Sequence, residues 1–456
     1  MARRRPNFLF LLPDQHRFDW LGSTPGLPLR TPNLDALGAR GVRFTHALCS
    51  SPLCAPSRAC LASGREYDRC GVPDNRVDYP CDRSTYYRQL RDGAGYHVAG
   101  VGKFDLHKGS PIWGRDGRTR LSEWGFSAGI DNAGKMDAIS SGALEPLDPY
   151  MAYLHAHGLA AMHVADFRGR GGYRGTEPTP LPEEAYCDNW IGANGLTLLR
   201  EFPRDRPWHL VVNFTGPHSP LDVTRTMAQW YAHASFPQPH AAPGEGGRPG
   251  TLGLDADLLQ QIRRNYSAMV ENIDRWVGVY LDEVQRRGEL ADTLVVYSSD
   301  HGEMLGDHGL WGKSQPYQPS VGIPLVVAGP GVAEATLSPA PVSLIDVAAT
   351  LLDYAGLPRP DDMDALSLRP LLEGRTRTVR SFVRSGLGAW RLVFDGRYKL
   401  ISGYAPRRAE AAPATMLFDL DADPWEDRDI AAEAPGVVRA LTAQLESGPG
   451  NAEAGR

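Results

Sequence analysis

Four short apolar runs, each leading into a polar residue, constrain this chain more than any other feature. Asn7 to Leu12 leads to Asp14, Tyr96 to Gly100 to Lys103, Trp208 to Phe214 to His218, and Thr293 to Ser299 to Asp300. Unbroken apolar runs of this length are the pattern of strands buried on both faces, as in parallel sheets. Val42 to Ala47 and Ile323 to Ala328 read as further strands. Between them the spacing predicts helices over Thr31 to Gly41, Pro56 to Ser63, Ser84 to Asp92 and Tyr186 to Phe202, and one long amphipathic helix over Asp255 to Arg287. In the first of these, Thr31 is expected to cap, Pro32 to occupy the first turn, and Leu34 and Leu37 to face inward. Alternating strands and helices make the chain an α/β protein, with a large mostly parallel sheet sandwiched by helices. Ligands of such sheets bind beyond the carboxyl ends of the strands, where Asp14, Lys103, His218 and Asp300 fall.

The texture changes near residue 380. Ser381 to Arg384, Trp390 to Asp395, Tyr398 to Ile401 and Met416 to Leu420 read as short antiparallel strands, and Pro435 to Leu445 as a closing helix. The expected organisation is therefore a catalytic α/β domain over residues 1–375 and a smaller antiparallel β plus helix subdomain over 376–456. Residues 109–185 and 219–253, rich in Gly, Pro and Arg, are expected to be variable, loop-like, substrate-facing insertions, with Phe236 to Gly253 the most flexible.

Charge excludes one class of partner. With 48 basic and 54 acidic residues the net charge is -6 and the arginines are scattered, so nucleic-acid binding is not expected. No apolar run approaches the roughly 18 residues of a membrane span. The basic N-terminus is followed only by Phe8 to Leu12, too short for a secretory signal, and the six cysteines show no metal-ligand spacing. Reduced thiols and a cytoplasmic location are expected.

The chemistry centres on Cys49 to Arg65, CSSPLCAPSRACLASGR. Pro56 fits the first turn of a helix and would put Cys54 at its N-terminus, where backbone N–H groups face a bound anion and Arg58 adds a charge one turn on. At the strand ends, Asp14, Gln15, Asp300 and His301 suggest one divalent cation. Carboxylate and amide oxygens suit Ca²⁺, Mg²⁺ or Mn²⁺, with Ca²⁺ placed first although the histidine leans toward Mn²⁺.

The block around Cys54, Pro56, Ser57, Arg58, Leu61, Gly64 and Arg65 resembles the sulfatase signature. PDQHRFDWLG, TPNLDALGARGVRF, SSDHGEMLGDHGLWGK and FDLDADPWEDRDIA are similar to other segments of that family, whose fold is alkaline-phosphatase-like. The resemblance implies that a formylglycine-generating enzyme oxidises Cys54 to an aldehyde. One hydroxyl of its hydrate would attack sulfur, the alcohol would leave, and the other hydroxyl would then expel sulfate from a covalent sulfo-enzyme intermediate. It further implies that Asp14, Gln15, Asp300, His301 and residue 54 hold the metal, and that Arg58, Lys103, His218 and Lys313 surround the anionic head, His218 protonating the leaving alcohol.

Two departures matter. Where the family commonly reads GKWH, this chain has Gly102, Lys103, Phe104, Asp105, Leu106 and His107, so the base acting late in the cycle is expected to be His107, on the same side of an extended segment, or Asp105. Gln15 and His301, with Asn75 at the entrance, look closer to choline sulfatases and phosphonate monoester hydrolases. Hydrolysis of a small-molecule or saccharide sulfate ester is the first expectation, and phosphonate monoester or phosphodiester hydrolysis the alternative. A non-catalytic anion-binding protein would have lost the nucleophile, a metal residue or the arginine, and all are present. Homo-oligomerisation is left open by the sequence.

Overall fold

The computed structural model describes residues 5–241, 254–405 and 414–447. The main sheet takes its strands from most of the chain: β1 (Asn7–Leu11), β2 (Gly41–Phe44), β4 (His97–Gly102), β5 (Ala128–Asp131), β6 (Trp208–Asn213), β7 (Thr293–Ser298), β8 (Leu325–Ala328) and β9 (Thr336–Ser338). A short β3 (Ala47–Leu48) pairs instead with β10 (Val342–Ser343). Across the eight-stranded sheet formed by the described residues the order is β5-β4-β6-β1-β7-β8-β2-β9. The pairings from β5 through β7 are parallel, β8 runs antiparallel to both β7 and β2, and β9 is parallel to β2.

Strand β1 shows why the apolar runs take this form. Phe8, Phe10 and Leu12 feed the core on one face of the sheet, and Leu9 and Leu11 feed the core on the other, so both faces of a helix-covered strand select apolar residues. The strand order β4-β6-β1-β7 then brings the ends carrying Lys103, His218, Asp14 and Asp300 side by side.

The long helix, Ala256–Arg286, covers one face with Leu259, Ile262, Tyr266, Ile273, Val277, Tyr280 and Val284 buried. It also does work that the sequence assigned to Thr31. The helix Pro32–Ala39 begins after Thr31, but no cap bond forms there, because the Thr31 hydroxyl accepts from the Gly22 N–H. The carboxylate of Asp274 accepts from Asn33 N and Leu34 N at 3.2 and 2.8 Å instead. Leu34 and Leu37 do face inward.

The expected insertion at 109–185 is not loop-like. It contributes β5 to the sheet and the helices Lys135–Gly142, Pro149–Ala156 and Ala160–Gly169. Glycine and arginine content obscured those elements, which are held by tertiary burial rather than propensity. Of the flexible loop expected over Phe236 to Gly253, residues 242–253 lie outside the described residues.

A second sheet of β11 (Val383–Leu387), β12 (Trp390–Phe394), β13 (Tyr398–Tyr404) and β14 (Ala414–Asp419) is antiparallel throughout, and Leu441 of the helix Pro435–Glu446 packs on it with Val393, Leu400 and Leu417. This sheet braces a segment of the main domain. Buried Lys399 pairs with Glu426 and donates to Pro316 O at 3.0 Å, Glu426 accepts from Gln318 N at 2.6 Å, and Tyr404 donates to Gln315 Oε1 at 2.5 Å. The braced segment follows directly on Lys313.

Candidate active site

Cys54 opens the helix Cys54–Ser63, in which all ten residues are buried. Pro56 sits in its first turn, where a missing N–H costs nothing. The signature residues have separate local duties. Ser57 Oγ donates to Asp300 O at 2.6 Å, and Arg58 Nε donates to Asp300 Oδ2 at 2.9 Å. Gly64 ends the helix at a φ of +66°, where a Cβ would also run into Met363. Asn75 Oδ1 accepts the Ala55 N–H at 3.0 Å, tying the entrance loop to the helix start.

The ligand atoms of Asp14, Cys54, Asp300 and His301 all lie within 4.8 Å of one another, and all four residues are buried. Cys54 Sγ is 3.4 Å from His301 Nε2 and 2.8 Å from Lys313 Nζ. Lys103 Nζ bonds Asp14 Oδ2, and Arg58 Nη2 lies 3.6 Å from the same oxygen. These charges bias the titration of the cluster. Burial pushes the Asp14 carboxyl up, but Lys103, Lys313, His218 and Arg58 outweigh it and hold it well below the usual carboxylate range. Burial and Asp14 raise the Cys54 thiol, yet Lys103, Lys313 and His301 bring it well below an ordinary thiol. His301 is lowered by burial but raised further by Asp300, so its net displacement is upward.

The donor set fits a divalent cation. Besides two carboxylates and an imidazole, Gln15 Oε1 is buried without a hydrogen-bond partner, while its Nε2 is engaged by Glu303 and, at 3.4 Å, by Tyr173. Glu303 is in turn fixed by Leu305 N, Gly312 N and Tyr173 Oη. Glu303 and Tyr173 therefore orient the Gln15 amide, a role with no signature in the sequence. The hard oxygens admit all three cations expected from the sequence, while the imidazole leans toward Mn²⁺.

Above the cluster opens a cavity of about 210 Å³ whose wall includes Cys54, Asn75, Lys103, Thr215, His218 and Lys313. His218 Nδ1 bonds Ser219 O, and the preceding loop is anchored by the Asp188 carboxylate, which accepts from Thr215 N, Thr215 Oγ1 and Gly216 N. Lys108, Lys135 and Asp137 also line the cavity. Lys135 donates to buried Asp222 at 2.7 Å, and Lys108 bonds Asp137. Sequence reasoning missed Thr215, Lys108 and Lys135. Thr215 stands in the loop already singled out for His218; Lys135 lies in the segment whose helices were obscured.

Three expected residues are not on this wall. Arg58 is 3% exposed and turned behind the cluster, donating to Asp300, to Lys103 O at 2.6 Å and to Asn213 Oδ1 at 3.1 Å, while its Nη2 makes no hydrogen bond and only the longer ion pair with Asp14. Asp105 is buried at a φ of +52°, bridging Lys103 Nζ at 3.1 Å and Lys108 Nζ at 3.2 Å. His107 is turned away altogether. Its Nε2 is 2.8 Å from Asp131 Oδ2, its Nδ1 is 2.9 Å from Ser110 O, and its ring packs against Trp113 and Trp124. The expectation for His107 assumed an extended segment. The chain instead turns through left-handed Asp105, which removes the two-residue alternation.

The loop-anchored cluster at the carboxyl ends of a helix-covered parallel sheet defines a hydrolase of the alkaline-phosphatase-like class. More narrowly, the chain belongs to the sulfatase family, the sulfuric ester hydrolases. The family model "Sulfatase" matches residues 6–357, and a model for the C-terminal part of N-sulphoglucosamine sulphohydrolase matches residues 306–448. The chain is 29% identical to a choline-sulfatase of Rhizobium meliloti, over 97% of this chain and 85% of that one. It is 26% identical to an arylsulfatase of Clostridium perfringens, over 92% and 89%. Among solved structures, the phosphonate monoester hydrolase of Agrobacterium radiobacter aligns with a TM-score of 0.78 at 23% identity, covering 97% of this chain and 95% of that one. A protein solved in complex with its substrate D-glucosamine-2-N,6-O-disulfate aligns at 0.76 and 20% identity, covering 97% of each.

Proposed function

We propose that this protein hydrolyses sulfate esters at Cys54, after conversion of that residue to formylglycine by a formylglycine-generating enzyme in the cytoplasm, with one divalent cation held by Asp14, Gln15, Asp300, His301 and residue 54. The observation that carries the reading is the convergence of the Asp14, Cys54, Asp300 and His301 ligand atoms within 4.8 Å, ringed by Lys103, Lys313 and Arg58. When bound, the cation polarises a sulfuryl oxygen and acidifies the nucleophile's hydroxyl.

The protein's own groups do the rest. Lys103 and Lys313 donate to the non-bridging oxygens, whose charge must be stabilised through the transition state. Arg58 holds Asp300 and Asp14 in place from behind. Asn75 and Thr215 offer neutral polar contacts on the cavity wall. His218, on the same wall, gives its proton to the departing alcohol.

Mass spectrometry of the tryptic peptide that contains Cys54 and ends at Arg58 tests the nucleophile. After co-expression with a formylglycine-generating enzyme, an active protein carrying only the unmodified thiol contradicts the reading. A second reading, phosphonate monoester or phosphodiester hydrolysis, is favoured by Gln15 and His301, where many sulfatases carry an acidic residue and asparagine. A monoanionic phosphodiester presents the same charge to Lys103 and Lys313. Turnover of an aryl sulfate against a phenyl phosphonate monoester separates the two, and a ratio strongly favouring phosphonate selects the second.

A further inference from the structure

One side chain, Met136, lines both the catalytic cavity and a second, larger concavity. It is the second residue of the helix Lys135–Gly142, and Met136, Ile139 and, just past the helix end, Ala143 follow at helical spacing along one face. With Leu144 and Leu147 of the following turn, that face lines a trough of about 620 Å³. Three of these side chains are unusually open for apolar residues: Met136 is 47% exposed, Leu147 41% and Leu144 95%. The polar residues of the lining are Ser140, Glu145 and Arg168, and Glu145 is already paired with Arg115 at 3.0 Å. An apolar-lined concavity that shares a side chain with a catalytic cavity is placed for the part of the substrate that does not react.

We propose that this trough is the subsite for the leaving alcohol, and that the alcohol is one with an extended apolar body, an alkyl chain or fused hydrocarbon rings, lying from the sulfate across Met136 onto Ile139, Ala143, Leu144 and Leu147. The proposal rests on the sulfatase reading and specifies its substrate. A polyhydroxylated alcohol fits the trough poorly, because its hydroxyls would lose water against methyl and methylene groups and gain few hydrogen bonds. A quaternary ammonium alcohol fits it no better, since the lining holds no aromatic ring to receive the cation. Methionine at the junction suits a subsite that takes apolar bodies of varied shape, its thioether chain being flexible and polarisable.

The test is a series of linear primary alkyl sulfates, ethyl, butyl, hexyl and octyl, assayed with the metal-loaded, formylglycine-bearing enzyme below detergent concentrations. Each methylene seated in the trough is worth up to about fourfold in kcat/KM, from the transfer free energy of a buried CH₂. A monotonic rise from ethyl to octyl is expected in the wild type. In the double variant Leu144→Gln with Leu147→Gln, the octyl-to-ethyl ratio should fall toward unity; the ratio is internal to each enzyme and cancels any general loss of activity or folded fraction. Measurable ethyl sulfate turnover with a flat series overturns the apolar subsite and leaves the sulfatase reading standing. No turnover of any sulfate ester overturns both. A flat series in a protein that light scattering shows to be dimeric, and that the double variant converts to monomer, assigns the face to a second copy of the chain and overturns the proposal as well.

Discussion

Lys313 Nζ lies 2.8 Å from Cys54 Sγ and 3.9 Å from Asp14 Oδ1, so one ammonium faces both the Cys54 thiol and the carboxylate beside it. In the proposed reaction an ammonium held there is aimed at charge that develops on the transferring group. Lys313→Ala should lower kcat/KM by roughly a hundredfold or more, about 3 kcal/mol, as for loss of a single preorganised donor. Lys313→Arg should not restore the rate, because a planar fork does not reproduce a point charge in a confined cavity. Steady-state kinetics on an aryl sulfate measures both; near-wild-type activity of Lys313→Ala removes Lys313 from the reaction, and that of Lys313→Arg removes the requirement for a point charge.

His107 and Asp105 should separate cleanly. His107→Gln breaks a buried pair with Asp131, neither of which lines the cavity, so the expected loss is in Tm, with kcat of the folded protein changed only a few-fold. The lost charge-assisted bond is worth roughly 1.5–3 kcal/mol. Asp105→Asn removes the carboxylate that bridges Lys103 and Lys108, both of which line the cavity, and should cost far more activity than His107→Gln. A larger catalytic loss from His107→Gln than from Asp105→Asn, at equal folded fraction, would return the late-acting base to His107.

These two residues also show where the sequence was readable. Strand ends were legible because apolar period and burial on both faces are local properties, and Asp14, Lys103, His218 and Asp300 follow directly from them. The position of His107 depended on the backbone turning at Asp105 with a φ of +52°, which residue type does not announce. Lys135, Tyr173 and Glu303 acquire their roles only when distant segments meet, as Glu303 does with Tyr173 across 130 residues. The helices of residues 135–169 were hidden for a related reason: their stability comes from what they pack against, and their composition resembles that of loops.

Asp274 offers a prediction about the scaffold. It supplies the cap that Thr31 does not, accepting from Asn33 N, Asn33 Nδ2 and Leu34 N across 240 residues of sequence. Asp274→Ala should destabilise by about 1–2 kcal/mol, the value of an N-cap, and Thr31→Val by less. Urea unfolding compares the two variants. Equal effects would mean that the helix start is held by its own sequence rather than by the long helix.

The pH dependence of stability turns on buried imidazoles, and His163 is the one that can be tested alone. It is 1% exposed, both ring nitrogens lack hydrogen-bond partners, and its neighbours are the rings of Tyr150 and Phe167. Burial pushes its pKa from 6.5 down to about 4. Between those values the imidazole is neutral when folded and protonated when unfolded. The unfolded state then binds more protons, so stability is fully present above the unfolded pKa and is lost as pH falls toward the folded one. The full displacement corresponds to roughly 3 kcal/mol, of which about 2 is lost by about pH 5. His16 and His209, also brought by burial to about 4, act in the same direction, whereas Asp148 and Asp274, pushed up by burial to about 6, act oppositely. The net slope is therefore a poor test and the difference from a variant a good one. His163→Leu keeps the packing on Tyr150 and Phe167 and removes the proton site. Its unfolding free energy should fall by about 2 kcal/mol less than that of the wild type between about pH 7.5 and about pH 5. Parallel pH profiles for the two proteins would show that His163 is not held neutral by the fold.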